Sequence, residues 1–366
     1  MVSKAAVLTG FDKPLDFQEF EVGELGAGEV LIKLEASGVC GSDVHMWRGK
    51  DPRTPLPLIL GHEGIGRIAA LAGEKTDILG RKLAEGDLVM WERGLMCGKC
   101  YYCTIKKQPA LCPTRKTYGI SISCQDPPHL RGCYSAYLHL YDFSALIKLD
   151  GNIDPAVMVP ASCSGATAAH TAEQCNINIG DTVVIQGPGP VGLFVLAFAV
   201  ARGAGAIYVI GTEADKGRLE LCKEFGATAC LNTGEMDGDA RIEFIHEATQ
   251  GRGADAVIDC TGSPRAMNEG IKLTAPYGVY AMPGIATPVG EVSIPVFEDI
   301  ARKNVTIQGV WVSDTSHLYQ AIRLVETERF PFEKLVTHRF SLDDATKALE
   351  VMESKEAIKA VLLPQE

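Results

Sequence analysis

Through the first part of the chain, apolar and polar positions alternate over short runs separated by turn residues. From Lys4 to Val30 the runs are AAVLTG, LDFQEFEV and GELGAGEV, and VLIKLEASGV and GIGRIAALAG continue the pattern. Alternation with frequent turns predicts an all-β unit. From Ile179 the texture changes. The run TVVIQ, a glycine turn, the apolar stretch VGLFVLAFAVARG, the run AIYVIG and a helical pattern from about Asp215 to Phe225 follow one another. Two more apolar runs ending in small residues, AVIDCTG and GVYAMPG, come next. Strands alternating with helices predict a doubly wound parallel sheet, so the fold class is α/β with a separate, mostly β unit. After about Val312 stand an amphipathic stretch, SHLYQAIRLVETERF, a second helix, DDATKALEVMES, and a last strand, AIKAVLLP. Pattern alone lets this tail join either unit.

Length supports the division, because 366 residues exceed what one hydrophobic core usually serves. A net charge of −11 argues against a protein that holds phosphate backbones by bulk electrostatics, so nucleic acid is not an expected partner. The start, MVSKAAVLTGFDKPLDF, lacks the apolar core and cleavage site of a secretory signal, which predicts a cytoplasmic protein. No residue between Asp181 and Arg202 is charged, but Gly187, Pro188, Gly189, Pro190 and Gly192 interrupt the stretch. A strand followed by a buried helix is expected there, and no membrane partner.

The cysteines carry the first chemistry. Twelve are many for a cytosolic chain, where clustered thiols more often hold metal than form disulfides. Cys97, Cys100, Cys103 and Cys112 form C-x2-C-x2-C-x8-C, a set that can close a tetrahedral zinc site or hold an iron–sulfur cluster. Upstream, GVCGSDVHMWRG supplies Cys40, Ser42, Asp43, His45 and Trp47, and LGHEGIGRI supplies His62 and Glu63. A thiolate and an imidazole are part of a catalytic zinc site, which needs a third protein ligand; Cys163 in VPASCSGATAAH is the candidate. The turn Gly187-Pro188-Gly189-Pro190-Val191-Gly192 reads G-x-G-x-x-G directly after a strand and at the start of a helix. That context suits a dinucleotide pyrophosphate, and Glu213 after the next strand is placed to hold the ribose hydroxyls of NAD.

Taken together, the C-G-S-D-V-H and G-H-E-G segments, the four-cysteine lobe, the glycine fingerprint and the last strand resemble the zinc-dependent medium-chain alcohol dehydrogenases, in that family's order. The resemblance implies a GroES-like catalytic domain over residues 1–160, a Rossmann domain over 161–311, and a tail, 312–366, that returns to the first domain. It implies a structural zinc in the lobe and a catalytic zinc on Cys40, His62 and Cys163, with Glu63 beside the metal. Thr167 matches a threonine that packs on the nicotinamide, and Lys359 matches a basic residue near the pyrophosphate. Ser42 would accept the substrate's hydroxyl proton, His45 would pass it to solvent, and Asp43 would orient His62.

The expected function is hydride transfer between an alcohol and NAD, with NADP the alternative cofactor. An amino alcohol or a hydroxymethyl adduct is an alternative substrate, and a catalytically silent nucleotide-binding protein is the reading from another class. Arg93, four residues before the lobe, and Trp47 are candidate pocket walls, and a charged wall favours polar secondary alcohols such as polyols. The alternative for Arg93 is an outward position or a pair with Glu92 or Asp43. NVTIQGVWV is a candidate edge strand through which a homodimer or homotetramer would form.

Overall fold

The computed structural model describes residues 1–151 and 153–365, which fall into two units. One comprises Met1–Cys163, Asp314–Ile322 and Phe332–Glu366, and the other Ser164–Ser313 and Arg323–Pro331. The tail therefore does not return to the first unit as a whole. Arg323–Pro331 groups with the nucleotide-binding unit, where the Phe330 ring stacks on Phe225 at 5.9 Å. An apolar ring between two helical patterns gave no hint of which unit would bury it.

The first unit is built on a seven-stranded sheet. Its centre is the strand Val30–Val39, which pairs antiparallel with Glu63–Leu71 on one side and with Lys359–Leu363 on the other. The register sets Gly38 opposite Glu63 and Val39 opposite Ala360. Cys40, Glu63 and Lys359 therefore emerge at the same end of three neighbouring strands. A smaller sheet of Asp16–Glu21, Val2–Leu8 and Leu58–Ile59 completes the unit. The run GELGAGEV, expected as a strand, is irregular before Val30. Its three glycines carry no side chains to pack, and Gly28 turns the chain at φ +79°.

The second unit holds a six-stranded sheet in which all neighbours run parallel. Its order is Ala229–Asn232, Ala206–Gly211, Thr182–Gln186, Ala254–Asp259, Thr274–Met282, Thr306–Gly309. The first strand of the unit, Thr182–Gln186, lies centrally and delivers its C-terminal end to the glycine turn. Helix Pro190–Arg202 follows, with proline at its start and Gly203 closing it in the left-handed conformation. Residues 192–199 of this helix are all buried, which is what an all-apolar helix surface requires in a globular unit. The uncharged stretch is thus divided between a strand and a 13-residue helix of about 20 Å. Among the described residues no helix is long and apolar enough to cross a membrane.

Candidate active site

Cys40 is the cap residue of helix Gly41–Trp47, and its N–H donates to Asp43 Oδ2 at 2.9 Å. The other oxygen of Asp43 lies 3.2 Å from His62 Nδ1, and the buried Tyr134 hydroxyl donates to Oδ2 at 3.3 Å. With Nδ1 held by a carboxylate, His62 directs Nε2 toward the cluster, where Ser42 Oγ is 3.4 Å away. Cys40 Sγ and Cys163 Sγ are 3.9 Å apart. One donor atom from each of Cys40, His62, Glu63 and Cys163 lies within 4.8 Å of the others. Two sulfurs on a tetrahedral zinc at about 2.3 Å would be about 3.8 Å apart, so the donor set fits that metal.

Glu63 and Lys359 form an ion pair buried to 0% and 1% side-chain exposure. The ammonium donates to Oε1 at 2.7 Å and sits 2.6 Å from Oε2. Gly38 makes room for this carboxylate: a Cβ there would stand 1.9 Å from Oε2. Lys359, expected near a pyrophosphate, is thus turned inward onto Glu63. A fully buried carboxylate at the start of a strand needs a countercharge, and the neighbouring strand supplies it.

The cluster is electrostatically coupled. Contact with Cys163 holds the Cys40 thiol well below its ordinary value, against burial and with help from His62. The same contact, and burial, push Cys163 well above. Burial opposes charge on His62, but Asp43 and Cys40 outweigh it and lift the imidazole to about 9. Burial lifts Glu63 to about 7 against the pull of Lys359. Thiols and an imidazole packed this closely are poised to exchange protons for a divalent cation.

Cys97, Cys100, Cys103 and Cys112 form the second cluster, again with all four donor atoms within 4.8 Å of one another. Cys100 caps the short helix Tyr101–Thr104, Cys100 and Cys103 sulfurs are 3.5 Å apart, and the Cys97 N–H donates to Cys112 Sγ at 3.4 Å. Burial works against the Cys112 thiolate, yet the Cys97 N–H and Thr114 bring that thiol down to about 6. All twelve cysteines are free thiols.

In the second unit, Gly187 takes φ +98° and Gly189 caps the helix that starts at Pro190 and Val191. A Cβ on Gly192 would stand 2.0 Å from the Gly187 carbonyl oxygen, so only glycine permits this approach of helix and turn. Glu213 follows the strand Ala206–Gly211 with its side chain 63% exposed, and Asn232 Nδ2 donates to its Oε2 at 2.5 Å. Lys216 stands 3.9 Å from Glu213, and Arg218 pairs with Asp215 at 3.5 Å. Thr167 lies buried in helix Ser164–Gln174. His45 is half-buried, one turn beyond Ser42 on the same helix.

The two proposed pocket walls fare differently. Trp47 is a core residue, buried among Leu15, Leu349 and Met46, with its indole N–H donating to the Lys13 carbonyl and Arg48 lying over its ring. The ring is thus packed into the core of the first unit. Arg93 does not point outward: it is 4% exposed, with Nη1 donating to the Ser162 carbonyl at 3.0 Å. Sequence reasoning missed Tyr134, Asn232 and the pairing of Glu63 with Lys359. Asn232 stands at a strand end near Glu213, a signal that could have been read; the others depend on contacts across the fold.

Two family models match the chain: an alcohol dehydrogenase GroES-like domain over residues 26–151 and a zinc-binding dehydrogenase over residues 190–327. The chain is 32% identical to 5-exo-hydroxycamphor dehydrogenase of Pseudomonas putida, over 98% of each protein. It is 34% identical to sorbitol dehydrogenase of Halalkalibacterium halodurans, over 93% of this chain and 92% of that one. The crystal structure of an alcohol dehydrogenase from Thermotoga maritima superimposes with a TM-score of 0.95, at 44% identity over 99% of both chains. This chain belongs to the zinc-dependent medium-chain alcohol dehydrogenase family. It is an NAD(P)-dependent oxidoreductase that interconverts an alcohol and its carbonyl.

Proposed function

We propose that Cys40, His62 and Cys163 hold the catalytic zinc of this dehydrogenase and that the Cys97–Cys112 lobe holds a structural one. The observation that carries this reading is the convergence of two thiols and an imidazole on one point, with Ser42 beside the imidazole. Lys359 draws the Glu63 carboxylate to itself, which leaves three protein ligands and room for substrate. Zinc supplies Lewis-acid polarisation of the substrate oxygen. Ser42 accepts the hydroxyl proton, His45 passes it on toward solvent, and Asp43 fixes the orientation of His62. The glycine turn receives the pyrophosphate of the cofactor, Thr167 packs against the nicotinamide, and Glu213 selects NAD over NADP because its carboxylate repels a 2′-phosphate.

Polar secondary alcohols, polyols among them, are the proposed substrates, in preference to unbranched primary alcohols. The relatives named for sorbitol and for a hydroxycamphor support that class. A homodimer or homotetramer in the cytoplasm is the proposed setting, consistent with twelve free thiols. The test is a panel of polyols and straight-chain alcohols assayed with both nicotinamide cofactors on protein of measured metal content. Two zinc equivalents and higher kcat/KM for polyols with NAD are expected. Cys40→Ser should abolish turnover with the fold kept, whereas Cys100→Ser should lower Tm, since a closed zinc site contributes folding energy directly. An active Cys40→Ser enzyme overturns the site assignment, and a preference for the aliphatic series overturns the substrate class.

A further inference from the structure

Of the three zinc-ligand candidates, two are locked by their surroundings in an obvious way. Cys40 follows a strand paired on both sides, with its N–H on Asp43, and His62 is held by the same carboxylate. Cys163 has no such lock. It stands between the short helical turn Val159–Ser162 and helix Ser164–Gln174, with φ −122° and ψ −67°, outside both helix and strand conformations. The hydroxyl of the residue before it donates to the Val159 carbonyl at 2.7 Å, and its carbonyl accepts from Arg93 Nη1 at 3.0 Å.

Arg93 is itself held from both sides. It lies between the strands Leu88–Trp91 and Gly94–Leu95, and its carbonyl accepts the Tyr118 N–H at 3.1 Å. The N–H of the preceding Glu92 donates to the Ala145 carbonyl at 3.0 Å, and the Glu92 carboxylate accepts the Gly94 N–H at 2.8 Å. A guanidinium rooted this firmly transmits its position to what it binds. It is also a buried charge, and it costs too much to be packing filler. Burial opposes its charge, yet Cys163, Glu92, Cys40 and Glu63 hold it protonated.

We infer that Arg93 is a positioning residue for the zinc ligand Cys163, acting through the Ser162 carbonyl; this rests on the zinc reading of the cluster. The guanidinium anchors the turn so that Cys163 Sγ stays within ligand reach of Cys40 and His62. Arg93 is then required whatever alcohol is bound, which separates this role from that of a substrate-selecting wall.

The experiment compares wild type with Arg93→Ala, Arg93→Met, Arg93→Gln and Arg93→Lys, each with the catalytic site loaded with cobalt(II). Cobalt reports thiolate ligation by its sulfur-to-metal absorption, independently of turnover. Loss of the anchor should speed transfer of this metal to a chelator about tenfold or more in Arg93→Ala and Arg93→Met and weaken the sulfur-to-metal band. The lobe metal should stay bound. In both variants kcat should fall while KM for the alcohol changes less than about twofold. Arg93→Gln and Arg93→Lys can donate to the same carbonyl and should recover most of the retention. Arg93→Met keeps the aliphatic stem and decides the matter if Arg93→Ala does not fold. Native cobalt spectrum and retention in Arg93→Met overturn the inference, as does a defect confined to KM for polar alcohols. Wild type that takes up no cobalt at this cluster overturns the zinc reading, and the inference with it.

Discussion

At the scale of single residues, chemistry in this molecule depends on partners that hold a charged group in place. Glu213 is mostly exposed, and a free glutamate would sample several rotamers before meeting the ribose proposed for it. Asn232 removes that freedom, donating to Glu213 Oε2 at 2.5 Å while its own carbonyl oxygen accepts the Gly234 N–H at 2.9 Å. Asn232→Ala should therefore raise KM for NAD about tenfold, or about 1.4 kcal/mol, with kcat nearly unchanged. Steady-state kinetics at saturating alcohol checks this, and an unchanged KM would separate Asn232 from cofactor binding. Lys359 and Glu63 make a different case. Removing one partner strands the other charge in a dry interior, so Lys359→Met should cost about 3–5 kcal/mol in denaturant unfolding. The double variant with Glu63→Leu should recover part of that loss; a double no more stable than Lys359→Met would show that the pair is not the cause. The cluster around Cys40 and His62 was legible in part because Cys40, Ser42 and Asp43, and likewise His62 and Glu63, are near neighbours in the chain. The Glu63–Lys359 pair spans 296 positions and leaves no local trace.

At the scale of elements, periodicity identified the central parallel strands, since a strand buried on both faces reads as an unbroken apolar run, but not the half-buried edge strand Ala229–Asn232. The return of Lys359–Leu363 to Val30–Val39 was not legible from pattern, and only the family resemblance supplied it. The glycine-rich run before Val30 failed for the opposite reason: alternation without side chains to bury does not make a strand. Polar turns can be as well defined as strands. Asp77 Oδ1 accepts the N–H groups of Leu79 and Arg81 at 2.9 Å each, and its Oδ2 accepts Arg81 Nε at 2.7 Å and Lys148 N at 3.3 Å. Burial works against the carboxylate, but Arg81 and these N–H groups outweigh it and hold the pKa below the ordinary value. A depressed carboxylate contributes stability above its unfolded pKa of about 3.9 and loses it as pH falls through the folded value. Asp77→Asn should thus be less stable than wild type by a constant amount from pH 7 to about 5, and the gap should narrow below about 4. Urea midpoints across that range check the sign, and a gap that widens in acid would refute it.

At the scale of the whole molecule, the open question is what covers the edge of the six-stranded sheet. Among the described residues, strand Thr306–Gly309 is the last in the order and pairs only with Thr274–Met282, which leaves one row of its backbone N–H and C=O groups without a strand. Sheets that stay solitary guard such an edge with lysine, proline or a bulge. Here residues 305–312, VTIQGVWV, contain no charge and no proline, and Ile307 and Trp311 are exposed. Val296 and Phe297, 62% and 65% exposed, precede the strand in the same unit. An apolar, unguarded edge is self-complementary about a two-fold axis, where two copies of the strand run antiparallel and join two sheets into one. The opposite edge, Ala229–Asn232, has only four residues and ends at the pair that serves Glu213, so it is the poorer candidate. Wild type should therefore sediment at twice or four times 39.3 kDa at micromolar concentration. Ile307→Lys places a charge in the centre of the paired strands and should shift the equilibrium toward smaller species by at least tenfold in Kd. Its zinc content should be unchanged, because both metal clusters belong to the other unit. Sedimentation equilibrium on the two proteins decides it: a monomeric wild type, or an Ile307→Lys variant with the wild-type mass at every dilution, would remove this edge as the interface.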